Sequence, residues 1–167
     1  MILENRLTKW VARKLRRRCF AVITHREPDF VITRLNGAAY LRRWWIIPRN
    51  RWFNVYLHQF MLDDEDRALH DHPWPSLYIS LATAMREVYL DKDGIERERE
   101  VRPGMFVWRR PSFAHRMIVP TPGAVTLFIT GARIREWGFL CKKGWMPWRT
   151  FTARDGSGRA RGCGEMA

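Results

Sequence analysis

Apolar side chains return every three or four positions between residues 2 and 18. Leu3, Leu7, Trp10, Val11 and Leu15 fall on one side of a helix, while Arg6, Lys9, Arg13 and Arg16 occupy much of the other. The spacing predicts an amphipathic helix docked by its apolar stripe on the rest of the chain. A helix lying on a membrane surface or on nucleic acid is the alternative. The period then shortens. Residues 20–24 and 30–33 are short β-branched runs separated by the turn-like Glu27-Pro28-Asp29, and Asn36-Gly37 signals a tight turn. Residues 40–48 interleave Arg42 and Arg43 with Tyr40, Trp44 and Trp45. That mixture covers a barrel flank through arginine stems, or stacks bases and neutralises phosphate.

From residue 52 the alternation is that of strands. In residues 52–62, Phe53, Val55, Leu57, Gln59 and Met61 alternate with Trp52, Asn54, Tyr56, His58 and Phe60. Asp63-Asp64-Glu65-Asp66 is an acidic surface loop without the glycine and spaced glutamate of a calcium-binding loop. Further β segments follow at 77–90, 95–101, 105–108, 115–119 and 124–130. Asp91-Lys92-Asp93-Gly94, Pro103-Gly104, Pro111 and Thr121-Pro122-Gly123 separate them. Short strands at regular spacing with Gly and Pro punctuation predict a mainly β chain, a sandwich or a barrel. The aromatic segments 135–141 and 144–148 are expected to cap it, and residues 154–167, rich in Gly and Arg, to be mobile. No internal repeat is present. The organisation expected is a basic helix and extension over 1–45, a β-barrel over 46–152 and a tail over 153–167.

Charge changes this picture. The net charge is +13, but residues 1–51 carry 13 Lys/Arg against 3 Asp/Glu, residues 52–132 carry 9 against 11, and residues 133–167 carry 8 against 3. The β region is near neutral and the excess sits at both ends, which suits nucleic acid, an anionic membrane or an acidic protein partner, or a merely solvated surface. Cys19, Cys141 and Cys163 show no regular spacing, and an odd count points to free thiols in a reducing cytoplasm. Lys142 and Lys143 would favour a thiolate at Cys141, the alternative being a buried structural thiol. No apolar run reaches the roughly 18 residues of a membrane span. Arg6, Lys9, Arg13 and Lys14 break up any secretory signal, so a cytoplasmic protein is expected.

The candidate chemistry lies in His70-Asp71-His72-Pro73-Trp74 and in His115, 43 residues beyond His72. On a strand His70 and His72 share a face and Asp71 takes the other, so a third imidazole from a neighbouring strand would complete a three-nitrogen site for a divalent metal. A hydrogen-bonded turn with His115 as a core residue is the alternative. The order His70-x-His72, Pro103-Gly104, Pro111, His115 resembles the two motifs of the cupin superfamily, small jelly-roll barrels with a metal at the mouth. More loosely, the stretch from Tyr56-Leu57-His58 to Arg135-Glu136-Trp137-Gly138-Phe139 resembles small cupin-like proteins of phage and bacterial genomes, which have no established activity.

The resemblance covers roughly residues 50–150 and implies a single jelly-roll barrel behind the N-terminal helix. Where the first cupin motif sets a glutamate, this chain has Ser76 and Leu77, and Glu87 is the nearest acid on the following strand. The remaining three-histidine set resembles the centre of cysteine-dioxygenase-type enzymes. That likeness implies a divalent metal, Fe(II) ahead of Zn, Mn or Ni, on His70, His72 and His115, with His58 as an extra ligand or a neighbour. It also implies oxygenation of a small molecule; zinc in the same set would activate water instead. Arg67, Arg86, Arg109 and Arg116 are candidate anchors for an anionic substrate, and Tyr56, Tyr78 and Tyr89 candidate phenols. A non-enzymatic module that binds nucleic acid or protein through its basic ends is the competing reading, and a homodimer is compatible with either. No Ser-His-Asp signature, Walker loop or Gly-x-Gly-x-x-Gly is present, which disfavours nucleotide hydrolysis and dinucleotide chemistry.

Overall fold

Alternation along the chain is realised as thirteen strands and two helices in a computed structural model that describes residues 1–34, 37–63, 68–120, 123–152 and 162–163. In chain order these are β1 (Ile2–Leu3), α1 (Arg6–His25), β2 (Phe30–Thr33), β3 (Ala39–Trp45), β4 (Asn54–Phe60), β5 (Leu69–His70), β6 (Ser76–Ala82) and β7 (Met85–Leu90). They continue as β8 (Glu96–Val101), β9 (Phe106–Arg109), β10 (His115–Ile118), β11 (Val125–Thr130), β12 (Gly138–Cys141), β13 (Gly144–Pro147) and α2 (Trp148–Thr152). All strand pairs are antiparallel.

Eight of these strands make a jelly roll. From β4 to β11 the chain passes back and forth between two sheets, except that β7 and β8 pair as a hairpin within the second; the orders are β9-β6-β11-β4 within β1-β9-β6-β11-β4-β3-β2, and β5-β10-β7-β8 within β13-β12-β5-β10-β7-β8. Two four-stranded sheets of this connectivity are a jelly roll. The flanking strands extend both sheets: β1 beside β9, β3 and β2 beyond β4, and the hairpin β12–β13 beyond β5.

Three apolar clusters among the described residues hold it together, the smallest being Leu69, Val88 and Ala114 with Leu90, Ile118 and Leu140. Between the sheets lie Tyr78, Met85, Val101, Met105, Val107, Met117 and Val119, with Phe60 and Phe128 packed against them. On the other face of the first sheet, Trp44, Leu57, Ile79, Leu81 and Leu127 meet α1 through Ala12 and Cys19, flanked by Leu15, Val22 and Ile23. Small residues allow the helix to approach closely, and the layer sets α1 on the outside of the barrel, away from its interior.

The structure corrects several sequence expectations. Residues 20–24 are helical, because Ala12, Leu15, Cys19, Val22 and Ile23 continue one helical face past residue 18. That face, not the stripe of Leu3, Leu7 and Trp10, is docked; Leu7 is 66% and Trp10 50% exposed. Asn5 and Thr8 form a capping box that sets the start of α1 at Arg6. Residues 77–90 are divided between two sheets by a turn in which Thr83 takes φ 61°, an uncommon conformation for a β-branched residue. Residues 138–147 extend the second sheet as a hairpin. Gly138 fits there because a Cβ would lie 2.0 Å from the Met146 carbonyl oxygen. Gly104, in the Pro103-Gly104 turn, has φ +99°, and a Cβ there would meet Lys9 Cγ at 2.8 Å, so the turn passes directly under α1.

Cys141 and Cys163 are joined by a disulfide, and Cys19 is buried. The cysteine count therefore no longer argues for free thiols or for a reducing compartment. The residues expected to form a mobile tail lie outside the described residues, apart from residues 162–163, as do Arg67, Asn36, residues 64–66 and residues 121–122. No helix among the described residues is long and apolar enough to cross a membrane.

Candidate metal centre

One rung of the second sheet builds the site. His115 on β10 lies opposite His70 on β5 on one side and opposite Tyr89 on β7 on the other, while Phe139 on β12 lies opposite His70. Residues directly opposite one another share a face, so these side chains project together. Met117, two positions beyond His115, turns into the apolar core; His115 is the next side chain on that face, at the end of the core.

His72 joins them from outside the ladder. β5 ends at His70, and His72 is placed instead by its backbone N–H, which donates to the Pro111 carbonyl at 2.9 Å. Asp71 turns the other way and is buried. It accepts from Gly138 N at 2.8 Å, from Trp145 Nε1 at 3.0 Å and from Arg135 Nη1, and its own N–H donates to the Gly138 carbonyl. This network ties the histidine segment to the β12–β13 hairpin. The expected division of His70 and His72 from Asp71 is present although the strand is only two residues long.

The three imidazoles converge. Their ring centroids are 5.2 Å apart for His70 and His72, 5.0 Å for His70 and His115, and 5.2 Å for His72 and His115. One nitrogen of each lies within 4.8 Å of the others, and the Nε2 atoms of His72 and His115 are 2.9 Å apart. Burial, the Arg109 guanidinium and the nearby His70 ring hold His115 down to about 4, with Glu87 opposing; burial, His115 and His70 hold His72 well below the ordinary histidine value. Both imidazoles are therefore neutral at pH 7, the protonation state a metal ligand requires.

Glu87 is the nearest acid on the strand that follows the position of the missing motif glutamate. It is fully buried and reaches the triad from behind: its Oε1 lies 2.6 Å from His115 Nδ1. Arg109 Nη2 also donates to that oxygen, and Arg99 Nε donates to Oε2 at 2.6 Å. Burial alone would raise this carboxyl, but Arg109, His115 and Arg99 hold it well below the usual carboxylate range. An ionised Glu87 retains the proton on His115 Nδ1 and leaves the lone pair on Nε2, towards the other two imidazoles. The donor set therefore fits a divalent metal, and a carboxylate backing a ligating imidazole is a common second partner in such sites.

His58 is not in this group. It is buried on β4, its Nε2 accepts from Arg43 Nε at 2.8 Å, and burial and Arg43 hold it neutral. The Phe128 ring lies between the two environments, with its centroid 5.2 Å from His58 and 6.0 Å from His72. His25 is exposed at the end of α1.

The candidate anchors separate by environment. Arg86 is exposed and paired with Glu98 at 3.1 Å. Arg116 is half-buried on β10, facing away from His115. Arg109 is buried; its Nη2 also donates to Tyr78 Oη at 2.9 Å, while its Nε and Nη1 have no hydrogen-bond partner among the described residues. Burial pushes Tyr78 up to about 12, so it stays a neutral phenol. Tyr56 lies under Arg43 (4.9 Å to its ring centroid), and Tyr89 is stacked on Phe113 with centroids 5.6 Å apart.

Aromatic side chains wall the histidines, which sequence reasoning did not foresee. Phe113 is 5.8 Å from His115, and Phe139 and Trp137 are 5.9 and 6.5 Å from His70 by ring centroid. Phe151 of α2 stacks on Phe139, and Trp148 on Trp137. The signal was an aromatic density near residues 137–151 that has no periodicity of its own.

No family model and no curated protein sequence matches this chain. A tryptophan variant of oxalate decarboxylase from Bacillus subtilis aligns over 56% of this chain and 25% of its own, with 16% identity and a TM-score of 0.45. Fe(II)-HppE with the alternative substrate (S)-1-HPP aligns over 62% of this chain and 55% of its own, with 15% identity and a TM-score of 0.48. A deletion mutant of the Bacillus subtilis decarboxylase aligns over 60% and 27%, with 16% identity and a TM-score of 0.47. The aligned part thus spans about a quarter to about half the length of these solved chains.

Proposed function

We propose that this jelly roll is a metal-dependent oxygenase of a small molecule, with one divalent metal held by His70, His72 and His115. Fe(II) is the preferred ion over Zn, Mn or Ni. The observation that carries the reading is the convergence of three imidazoles with His115 backed by the buried carboxylate of Glu87. Three neutral ligands leave a bound divalent ion its full charge; iron there would supply a centre where a small-molecule chelate and dioxygen meet.

The surrounding residues have separate tasks. Glu87 keeps the proton on His115 Nδ1. Phe113, Phe128, Trp137 and Phe139 exclude water from the imidazoles and shape an apolar wall. Arg109 is the anchor we assign to an anionic substrate. Its charge bears on both His72 and His115, and two of its donors have no partner among the described residues.

Metal analysis of protein purified under metal-replete conditions tests this. Wild type should retain one metal per chain, and the His70→Ala, His72→Ala and His115→Ala variants should each lose it. The Fe(II)-loaded wild type should then consume dioxygen with a carboxylate-bearing small molecule. A metal-free wild type under replete conditions would sink the proposal and leave the non-enzymatic binding module.

A further inference from the structure

The outward face of α1 is composed unlike a solvated surface. On a helix the neighbours of Trp10 are the positions three and four residues away, here Arg6, Leu7, Arg13 and Lys14. Leu7 and Trp10 are both exposed, as are Leu3 before them and Phe20 beyond. An open groove beside Trp10 is lined by Lys14, Leu15, Arg17, Arg18 and Ala21. Apolar anchors and cations are therefore interleaved over the length of the helix.

The charge is also in excess of what the fold uses. α1 contains Arg6, Lys9, Arg13, Lys14, Arg16, Arg17 and Arg18 and no Asp or Glu. Among the described residues, Lys9 alone of these has an acidic partner, Glu4, at 3.1 Å. Lys9 and Arg13, Arg13 and Arg17, and Lys14 and Arg18 are like-charge pairs four residues apart, a spacing that destabilises a helix in isolation. Lys14 Nζ lies 5.8 Å from the Trp10 ring centroid and the Arg16 guanidinium 5.4 Å from that of Phe20, so the cations lie over the aromatic anchors.

We propose that this face is a docking surface for an anionic phospholipid bilayer, with α1 lying in the interface plane while its inner side remains packed on the first sheet. Charge complementarity selects acidic headgroups, and a cluster of four to eight Lys/Arg on an amphipathic helix is the pattern they attract. The apolar members decide between a bilayer and nucleic acid. Aliphatic Leu7 adds nothing to phosphate or base recognition, whereas hydrocarbon receives it, and Trp is at home at the headgroup level. No helix among the described residues crosses a membrane, so the contact is peripheral. Because α1 covers the outside of the barrel, none of its exposed residues belongs to the histidine site.

Co-sedimentation of the full chain with vesicles tests it, using phosphatidylcholine alone and phosphatidylcholine with about one-third phosphatidylserine. Wild type should pellet with the acidic vesicles and stay in solution with the neutral ones. The triple variant Arg6→Gln, Arg13→Gln, Arg17→Gln should lower the partition coefficient on the order of 100-fold. The double variant Leu7→Ser, Trp10→Ser should lower it about tenfold and make the remainder fully removable by salt. All five positions are exposed, and circular dichroism matching wild type shows that the helix persists. Equal binding to both vesicle types, or no binding to acidic vesicles at low salt, overturns the proposal. So does an unchanged double variant that a single-stranded oligonucleotide displaces, which would make nucleic acid the partner.

Discussion

A carboxylate without solvent contact, gripped by Arg109, Arg99 and His115, links stability to ligand geometry at a single residue, Glu87. Glu87→Gln keeps the shape but leaves a buried guanidinium uncompensated. It should cost about 3 kcal/mol in denaturant unfolding of the metal-free protein. The same change should weaken metal affinity by roughly 10- to 100-fold in a direct titration, because His115 would lose its fixed tautomer. His115 also sets a pH dependence. Its folded value of about 4 lies below the ordinary 6.5, chiefly through burial, so the unfolded chain binds the extra proton more readily between those values. Stability from this source is full above pH 6.5 and is lost as pH falls towards about 4, and the depressed Glu87 acts in the same direction further into acid. Unfolding curves of chelator-treated protein across this range should show the decline; a flat profile would contradict the buried neutral imidazole.

At the scale of elements, β5 is too short to hold the histidines by its own ladder. Asp71 does this by joining the turn after β5 to the β12–β13 hairpin through Gly138, Trp145 and Arg135. Asp71→Asn would lose the charge opposite Arg135 while keeping most of the volume, at a cost of about 2 kcal/mol in equilibrium unfolding. The disulfide acts on the same hairpin. Cys141 follows Phe139 on β12, and Cys163 lies 22 residues away in sequence. For a loop of that length, Cys163→Ser should destabilise by about 3 kcal/mol. Thermal melts of wild type with and without reductant should reproduce that loss, and the reduced variant should be insensitive to reductant.

For the whole molecule, metal and fold are coupled, because the three imidazoles come together only when β5 is paired with β10 in the second sheet and the turn after β5 is docked on Pro111. Added metal should raise the melting temperature of wild type, by the equivalent of about 2.7 kcal/mol at a hundredfold excess over the dissociation constant. His72→Ala should show no such rise, and chelator should reverse it in wild type. The outer face of α1 should contribute nothing to this shift, so the vesicle and metal experiments read independent surfaces.

Much of this was legible in the residues. Period-two alternation and Gly/Pro punctuation announced the strands. Strand alternation is a local property and turn residues carry their own backbone constraints, so these reached as far as a sandwich or a barrel; the jelly roll with its histidine cluster was implied by the resemblance of His70, His72, Pro103-Gly104, Pro111 and His115 to the cupin motifs. Choices between faces were not local. The N-terminal residues present two apolar stripes, and only contact with Trp44, Leu57 and Leu81 decides that Ala12 and Cys19 dock while Leu7 and Trp10 face outwards. Glu87 became the partner of His115 because register sets it opposite Met117, one pleat from the histidine, on a strand that sequence distance alone could not align. Cys141 likewise found Cys163 through folding of the C-terminal segment over Phe139. The chain by itself determined which residues could meet in a three-histidine cluster. Tertiary packing decided what stands behind them, because burial, register and charge pairing are properties of neighbours that the linear order does not contain.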